Sequence, residues 1–153
     1  MEVIQDFEDI LRFLEERQTR YLIIGGLAFI FHAKPRYTKD IDIWIEPSSE
    51  NIARANEALA AFGAPSRLSL DKPTEIMQIG VSPNRIDFLF EVEGLSFEDA
   101  WLKRVRSYYG HVMANWIDLD SLIQIKSQID ALRHQEDARV LRQVKEMRSG
   151  KRT

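Results

Sequence analysis

The chain has 153 residues, 44% hydrophobic and 29% charged, with a net charge of −3. That length and balance suit one folded domain, residues 1–153, and exclude a disordered chain. No apolar run approaches the roughly 20 residues that span a bilayer, and the acidic residues 1–16 lack the basic-then-apolar layout of a signal peptide, so a cytoplasmic protein without membrane contact is expected.

Ile4, Phe7, Ile10, Leu11 and Leu14 recur at helical spacing, which predicts an amphipathic helix over 3–18 that covers a sheet. Tyr21-Leu22-Ile23-Ile24 has the pattern of a short buried strand, broken at Gly25-Gly26. A short helix follows from Leu27 and ends at Pro35. Glycines at such a strand-to-helix turn let backbone N–H groups approach a phosphate at the positive end of the helix.

In the run from Arg36 to Ile45, apolar residues alternate with Asp40 and Asp42. The two carboxylates therefore share one face of a strand, roughly 6.6 Å apart along the backbone. Aspartates are poorly suited to strands, and two on one face repel unless water or a cation lies between them. A divalent ion is the economical explanation. Taken singly, Gly-Gly is a plain tight turn and Asp-x-Asp a solvated face; in this order and spacing they read together as a phosphate cradle and a metal claw.

Ser48 or Ser49 caps a helix that continues from Ala53 to Phe62 and stops at Gly63. Residues 76–81 and 85–91 are expected to pair as a hairpin through Ser82-Pro83-Asn84. Asp87 is a single acid inside the second, otherwise apolar strand. Ser96 caps a helix over 97–104, residues 111–117 form a strand, Asp118 or Asp120 caps a helix over 121–130, and the last helix runs over 134–147. Within 121–130, Lys126 falls inside the stripe of Leu122, Ile125 and Ile129. A buried ammonium must snorkel, pair with Asp137, or meet an anion in a cleft. The expected architecture is an α/β sandwich with a mixed sheet: the hairpin is antiparallel, and the Gly-Gly unit is a strand–helix–strand.

Other residue types narrow the chemistry. There is no cysteine, which excludes disulfides, thiolate zinc sites and cysteine nucleophiles, and His32, His111 and His134 are scattered rather than clustered. His32, at the end of a short apolar helix, is expected to pack or lie at the surface rather than act as a base. Residues 1–20 carry six acids against three bases, whereas 133–153 carry seven bases against three acids. That basic end is either a solvated helix face with a frayed tail or a contact for RNA or an acidic protein.

Gly-Gly-x-Ala at Gly25 to Ala28, Arg-x-Thr-x-Asp-Ile-Asp at Arg36 to Asp42, the later Asp87, and a late helix carrying Lys126, Arg133 and Asp137 together resemble the nucleotidyltransferase fold of the DNA polymerase β superfamily. The similarity is nearest to the small prokaryotic members, the minimal nucleotidyltransferases and the AbiEii-like proteins of toxin–antitoxin and phage-defence systems. It implies an α/β (α+β) nucleotidyltransferase fold, a mixed sheet flanked by helices, with C-terminal helices. It further implies Mg²⁺ or Mn²⁺ bridged by Asp40 and Asp42, with Asp87 on the catalytic ion and helping to activate the nucleophile. Gly25 and Gly26 would hold the NTP phosphates, with Arg36, Thr38 and Lys126 as further contacts. The implied reaction moves an NMP to a hydroxyl on protein or RNA, tRNA included, with a cognate toxin or antitoxin as partner. Two departures stand out: Gly26 replaces a serine that many members carry, and the late helix lacks an Arg-Pro-x-Asp turn. Beside transfer, the residues leave open a catalytically silent partner-binding protein and a metal-dependent nuclease, though the latter gives the Gly-Gly turn no role. Arg36 can equally be an exposed arginine without a role, and Thr38 can simply cap the strand.

Overall fold

The computed structural model describes residues 1–80 and 83–150; Val81 and Ser82 of the expected hairpin and the basic Lys151 and Arg152 lie outside them. Helix α1 (Gln5–Glu16) buries Phe7, Ile10, Leu11 and Leu14, the stripe that the spacing predicts. Strand β1 (Tyr21–Ile24) is buried throughout and runs directly into α2 (Gly25–His32), which begins two residues earlier than the apolar pattern implies. After β2 (Asp40–Ile45), Ser48 accepts a hydrogen bond from the Asn51 N–H and caps α3 (Ser49–Phe62), and Gly63 closes it in the left-handed conformation.

The expected hairpin is present, as β3 (Met77–Ile79) and β4 (Arg85–Leu89), paired antiparallel. Ser96 caps α4 (Phe97–Leu102). Next comes a strand that the sequence pattern hides, β5 (Val105–Tyr109), paired with β6 (Val112–Trp116) around Gly110-His111. It lies at the sheet edge with Arg106 and Tyr108 exposed, so it lacks the apolar alternation of a half-buried strand. Asp118, rather than Asp120, caps α5 (Leu119–Gln128), and α6 spans Leu132–Gly150.

The six strands lie in the order β3-β4-β2-β1-β6-β5. The sheet is mixed because β2 pairs parallel with β4 and β1 parallel with β6. The strands of the Gly-Gly unit, β1 and β2, are antiparallel although a helix joins them. Ile24, the last residue of β1, lies opposite Asp42, near the start of β2, so the chain leaves the sheet and re-enters it at the same end. An eight-residue helix reaches only about 12 Å, and residues 33–39 retrace that distance.

Alternation along the strands gives the sheet two apolar faces. Tyr21, Ile23, Ile41, Ile43, Ile45, Ile86 and Phe88 pack in one cluster with α1 and α3. Leu22, Ile24 and Trp44 pack in the other with α2, α4, α5 and α6. Asp40 and Asp42 share the phase of Trp44, so they belong to the second face. Four exposed bases of α6 make contacts within the chain. Arg139 pairs with Glu136, Arg142 donates to Ser127 Oγ at 2.7 Å, Lys145 reaches Asp120 at 2.7 Å, and Arg148 donates to the His32 carbonyl at 3.5 Å. Among the described residues, no helix is long and apolar enough to cross a membrane.

Candidate active site

The antiparallel register that sets Ile24 opposite Asp42 brings the next residue, Gly25, against the Asp42 side chain. Gly25 has φ +70°, and a Cβ there would overlap Asp42 Oδ2. Glycine is therefore required at this position twice over, for its conformation and for the close approach. Gly26 has neither constraint: a Cβ would meet Thr38 Oγ1 at 3.4 Å, an ordinary contact. The strict glycine of the pair is the first one.

Strands β2 and β4 are parallel and in register, with Asp42 beside Asp87 and Asp40 beside Arg85. Asp87 thus shares the face of Asp40 and Asp42. It is 7% exposed, and its Oδ1 is buried with no hydrogen-bond partner among the described residues. Burial, then the Asp87 and Asp40 charges, push the Asp42 carboxyl up to about 7, with the Lys126 ammonium opposing them. Burial also raises Asp87, against the pull of Arg85. Asp40, the outermost acid, accepts from Arg85 Nη2 at 3.0 Å; the same nitrogen is 3.9 Å from Asp87 Oδ2.

The three acids lie on one face, yet they are not drawn together as a ligand set. Among the described residues no three His, Cys, Asp or Glu side chains stand close enough to hold a metal ion. Asp40 is engaged by the Arg85 guanidinium. The donor set nonetheless suits a hard divalent cation: it is all oxygen, carries excess negative charge, and includes the buried Asp87 Oδ1 without a donor.

The cationic residues Arg36 and Lys126 are tied together through Asp137. Arg36 forks Asp137, with Nη1 3.1 Å from Oδ2, and its guanidinium lies 3.8 Å from the centre of the Phe29 ring. Lys126 is 4% exposed and Asp137 2%. Lys126 Nζ sits 3.1 Å from Asp137 Oδ2 and 3.3 Å from His134 Nδ1. The helix-to-helix tie is thus formed, and Asp137 also holds Arg36. Burial pushes the Asp137 carboxyl upward, but the hydrogen bonds from Arg36 and Lys126 outweigh it and keep the group below the usual range. Arg133, grouped with these residues by sequence, is exposed. Thr38 Oγ1 bonds the Asp40 backbone, donating to its carbonyl at 3.2 Å and accepting from its N–H at 3.4 Å, as a strand cap does. His32 is buried with Nε2 2.7 Å from the Ile117 carbonyl, and burial lowers its pKa, so it packs neutral.

A cleft of about 320 Å³ opens between this face of the sheet and α5–α6, lined by Gly25, Asp42, Leu89, Val92, Ile125 and Lys126 among others. Lys126 therefore faces the same space as Asp42 while paired to Asp137. A larger hollow, about 420 Å³, borders residues 67–78 and touches none of these groups. The residue that sequence reasoning missed is Arg85. Its signal is its place two positions before Asp87 on the same strand face, which acquires meaning only once β4 is set beside β2.

Solved structures of nucleotidyltransferases share this arrangement of sheet and helices. The lincosamide antibiotic adenylyltransferase LnuA, in its lincomycin-bound crystal structure, is similar with a TM-score of 0.64 and 16% identity, over 94% of this chain and 99% of that one. The solution structure of the antibiotic-resistance factor ANT(2'')-Ia gives 0.61 and 15%, over 97% and 90%. Its crystal structure with adenylyl-2''-tobramycin gives 0.57 and 16%, over 95% and 94%. No protein-family model and no curated protein matches the chain. At these identities the likeness establishes the nucleotidyltransferase fold.

Proposed function

We propose that the protein is a metal-dependent nucleotidyltransferase that moves an NMP from an NTP to a hydroxyl group. The observation that carries this reading is the in-register pair Asp42 and Asp87, both raised by burial, beside a glycine that must lack a side chain. Burying two repelling carboxylates destabilises a fold, and a silent partner-binding protein has no use for them. A nuclease would share the acids but leaves the Gly25 turn unexplained.

Asp40, Asp42 and Asp87 would hold Mg²⁺ or Mn²⁺, which supplies charge neutralisation for the triphosphate and a lower pKa for the attacking hydroxyl. The Gly25–Gly26 turn leaves its backbone clear at the start of α2, where phosphate is favoured. Lys126, held by Asp137, faces the cleft as a cation for the phosphates, while Leu89, Val92 and Ile125 give it an apolar wall. The Asp87 carboxylate would accept the hydroxyl proton as the new O–Pα bond forms and the bond to the leaving pyrophosphate breaks. Arg36 is a positioning residue for Asp137 in this scheme, and Thr38 holds the start of β2.

The acceptor is proposed to be a hydroxyl on a small molecule, because the similar proteins carry lincomycin and adenylyl-2''-tobramycin. A protein or RNA acceptor, or a cognate toxin or antitoxin, has no such parallel among these similar proteins. The test is to incubate the protein and Mg²⁺ with each α-labelled NTP against hydroxylated antibiotics, tRNA and cell extract. Label should pass to one acceptor class and be lost with Asp87→Asn. If no label passes from any NTP to any of these acceptors, the proposal is overturned.

A further inference from the structure

We infer that Arg85 is a built-in counter-cation of the carboxylate site, occupying lone pairs that a divalent ion would use and so setting the affinity for that ion. The inference rests on the metal-dependent reading above.

Three observations support it. First, one nitrogen serves two acids on adjacent strands: Arg85 Nη2 lies 3.0 Å from Asp40 Oδ2 and 3.9 Å from Asp87 Oδ2. Second, the guanidinium leaves the site under-compensated. Three carboxylates share this face, Asp87 Oδ1 remains buried with no donor among the described residues, and the ammonium of Lys126 is already shared with Asp137. Third, Arg85 has somewhere to go. Its side chain is 46% exposed and borders a hollow of about 210 Å³ with Lys39, Asp40 and Pro83.

An ion that takes oxygens from both Asp40 and Asp87 competes directly with the guanidinium. Arginine cannot release its proton, so it leaves the site as a cation and carries its charge into the hollow. The guanidinium therefore reduces the mutual repulsion of the acids and holds metal affinity down.

The test uses Mn²⁺ alone, titrated into the nucleotide-free protein and followed by electron paramagnetic resonance of the free ion, with melting curves confirming folding. Arg85→Gln should bind Mn²⁺ roughly 3- to 5-fold more tightly than wild type, the upper part of the span expected for loss of a partly exposed ion pair. Arg85→Lys, which keeps the charge but not the guanidinium, should fall between them. Lys39→Gln is the control: it removes a positive charge from the same hollow, but among the described residues Lys39 forms no ion pair with these acids. It should change affinity by about twofold at most, as a screened surface charge does. Equal tightening by Lys39→Gln would assign the effect to the general field and overturn the inference, as would unchanged or weaker binding in Arg85→Gln. If wild type binds no Mn²⁺ at all, the metal-dependent reading falls with it; if wild type binds and only the variant comparison fails, the inference falls alone.

Discussion

Replacing Asp42 with asparagine should make the metal-free protein more stable at neutral and alkaline pH. Burial and two neighbouring acids raise the Asp42 carboxyl from 3.8 to about 7. An acid raised in the folded state costs nothing below its unfolded value, where both states hold the proton. The cost grows as pH rises from about 4 toward 7, where the unfolded chain has ionised and the folded one has not, and is constant above that. At about 1.36 kcal/mol per unit the ceiling is ~4 kcal/mol, and solvent relaxation at a partly exposed site brings a realistic figure to ~2 kcal/mol. For a chain of this size that raises Tm by about 5 °C. Melting curves in EDTA across the range from about pH 4 to pH 8.5 should show the Asp42→Asn advantage vanish at the acid end and reach a plateau at the alkaline end. Added Mn²⁺ should raise the Tm of wild type more than that of the variant. An Asp42→Asn protein less stable than wild type at about pH 8 would refute the reasoning, since the carboxylate would then be holding the fold together.

Gly25→Ala should abolish NTP binding and cost about 1–3 kcal/mol, because its Cβ meets the Asp42 carboxylate and its backbone is left-handed. Gly26→Ala should stay within about 1 kcal/mol of wild type; melting curves and nucleotide titrations separate the two. Asp137→Ala strands two cations and should cost about 3–5 kcal/mol in urea unfolding. Lys126→Met leaves Arg36 paired to Asp137 and should keep the fold while weakening NTP binding, measured by titration calorimetry; unchanged affinity would remove Lys126 from the nucleotide site.

Features carried by local pattern were readable from the sequence. The α1 stripe, the Tyr21–Ile24 strand, the alternation that pairs Asp40 with Asp42, and the caps at Ser48 and Ser96 each depend on residues within a few positions of one another. What escaped depends on pairing across the chain. Strand β5 has an edge strand's mixed surface, so its partner β6 defines it better than its own composition does. The choice of Gly25 over Gly26 follows from a backbone angle and from the β1–β2 register. Arg36 meets a carboxylate 101 positions away, and Arg85 meets one 45 away. No spacing rule reaches that far.

The return of β2 alongside β1 also bears on the order in which the site assembles. The glycine turn and the Asp40–Asp42 pair belong to one contiguous segment, residues 21–45, whose strands meet after a short excursion. Asp87 arrives only when β4 docks beside β2, after an excursion through α3 and β3. Short-range contacts form early and long-range ones late, because loop closure opposes the latter. The repulsion between Asp42 and Asp87 is therefore absent while the first half of the site is built and enters at the docking of β4. The chain thus brings its most unfavourable charges together only when β4 joins the sheet.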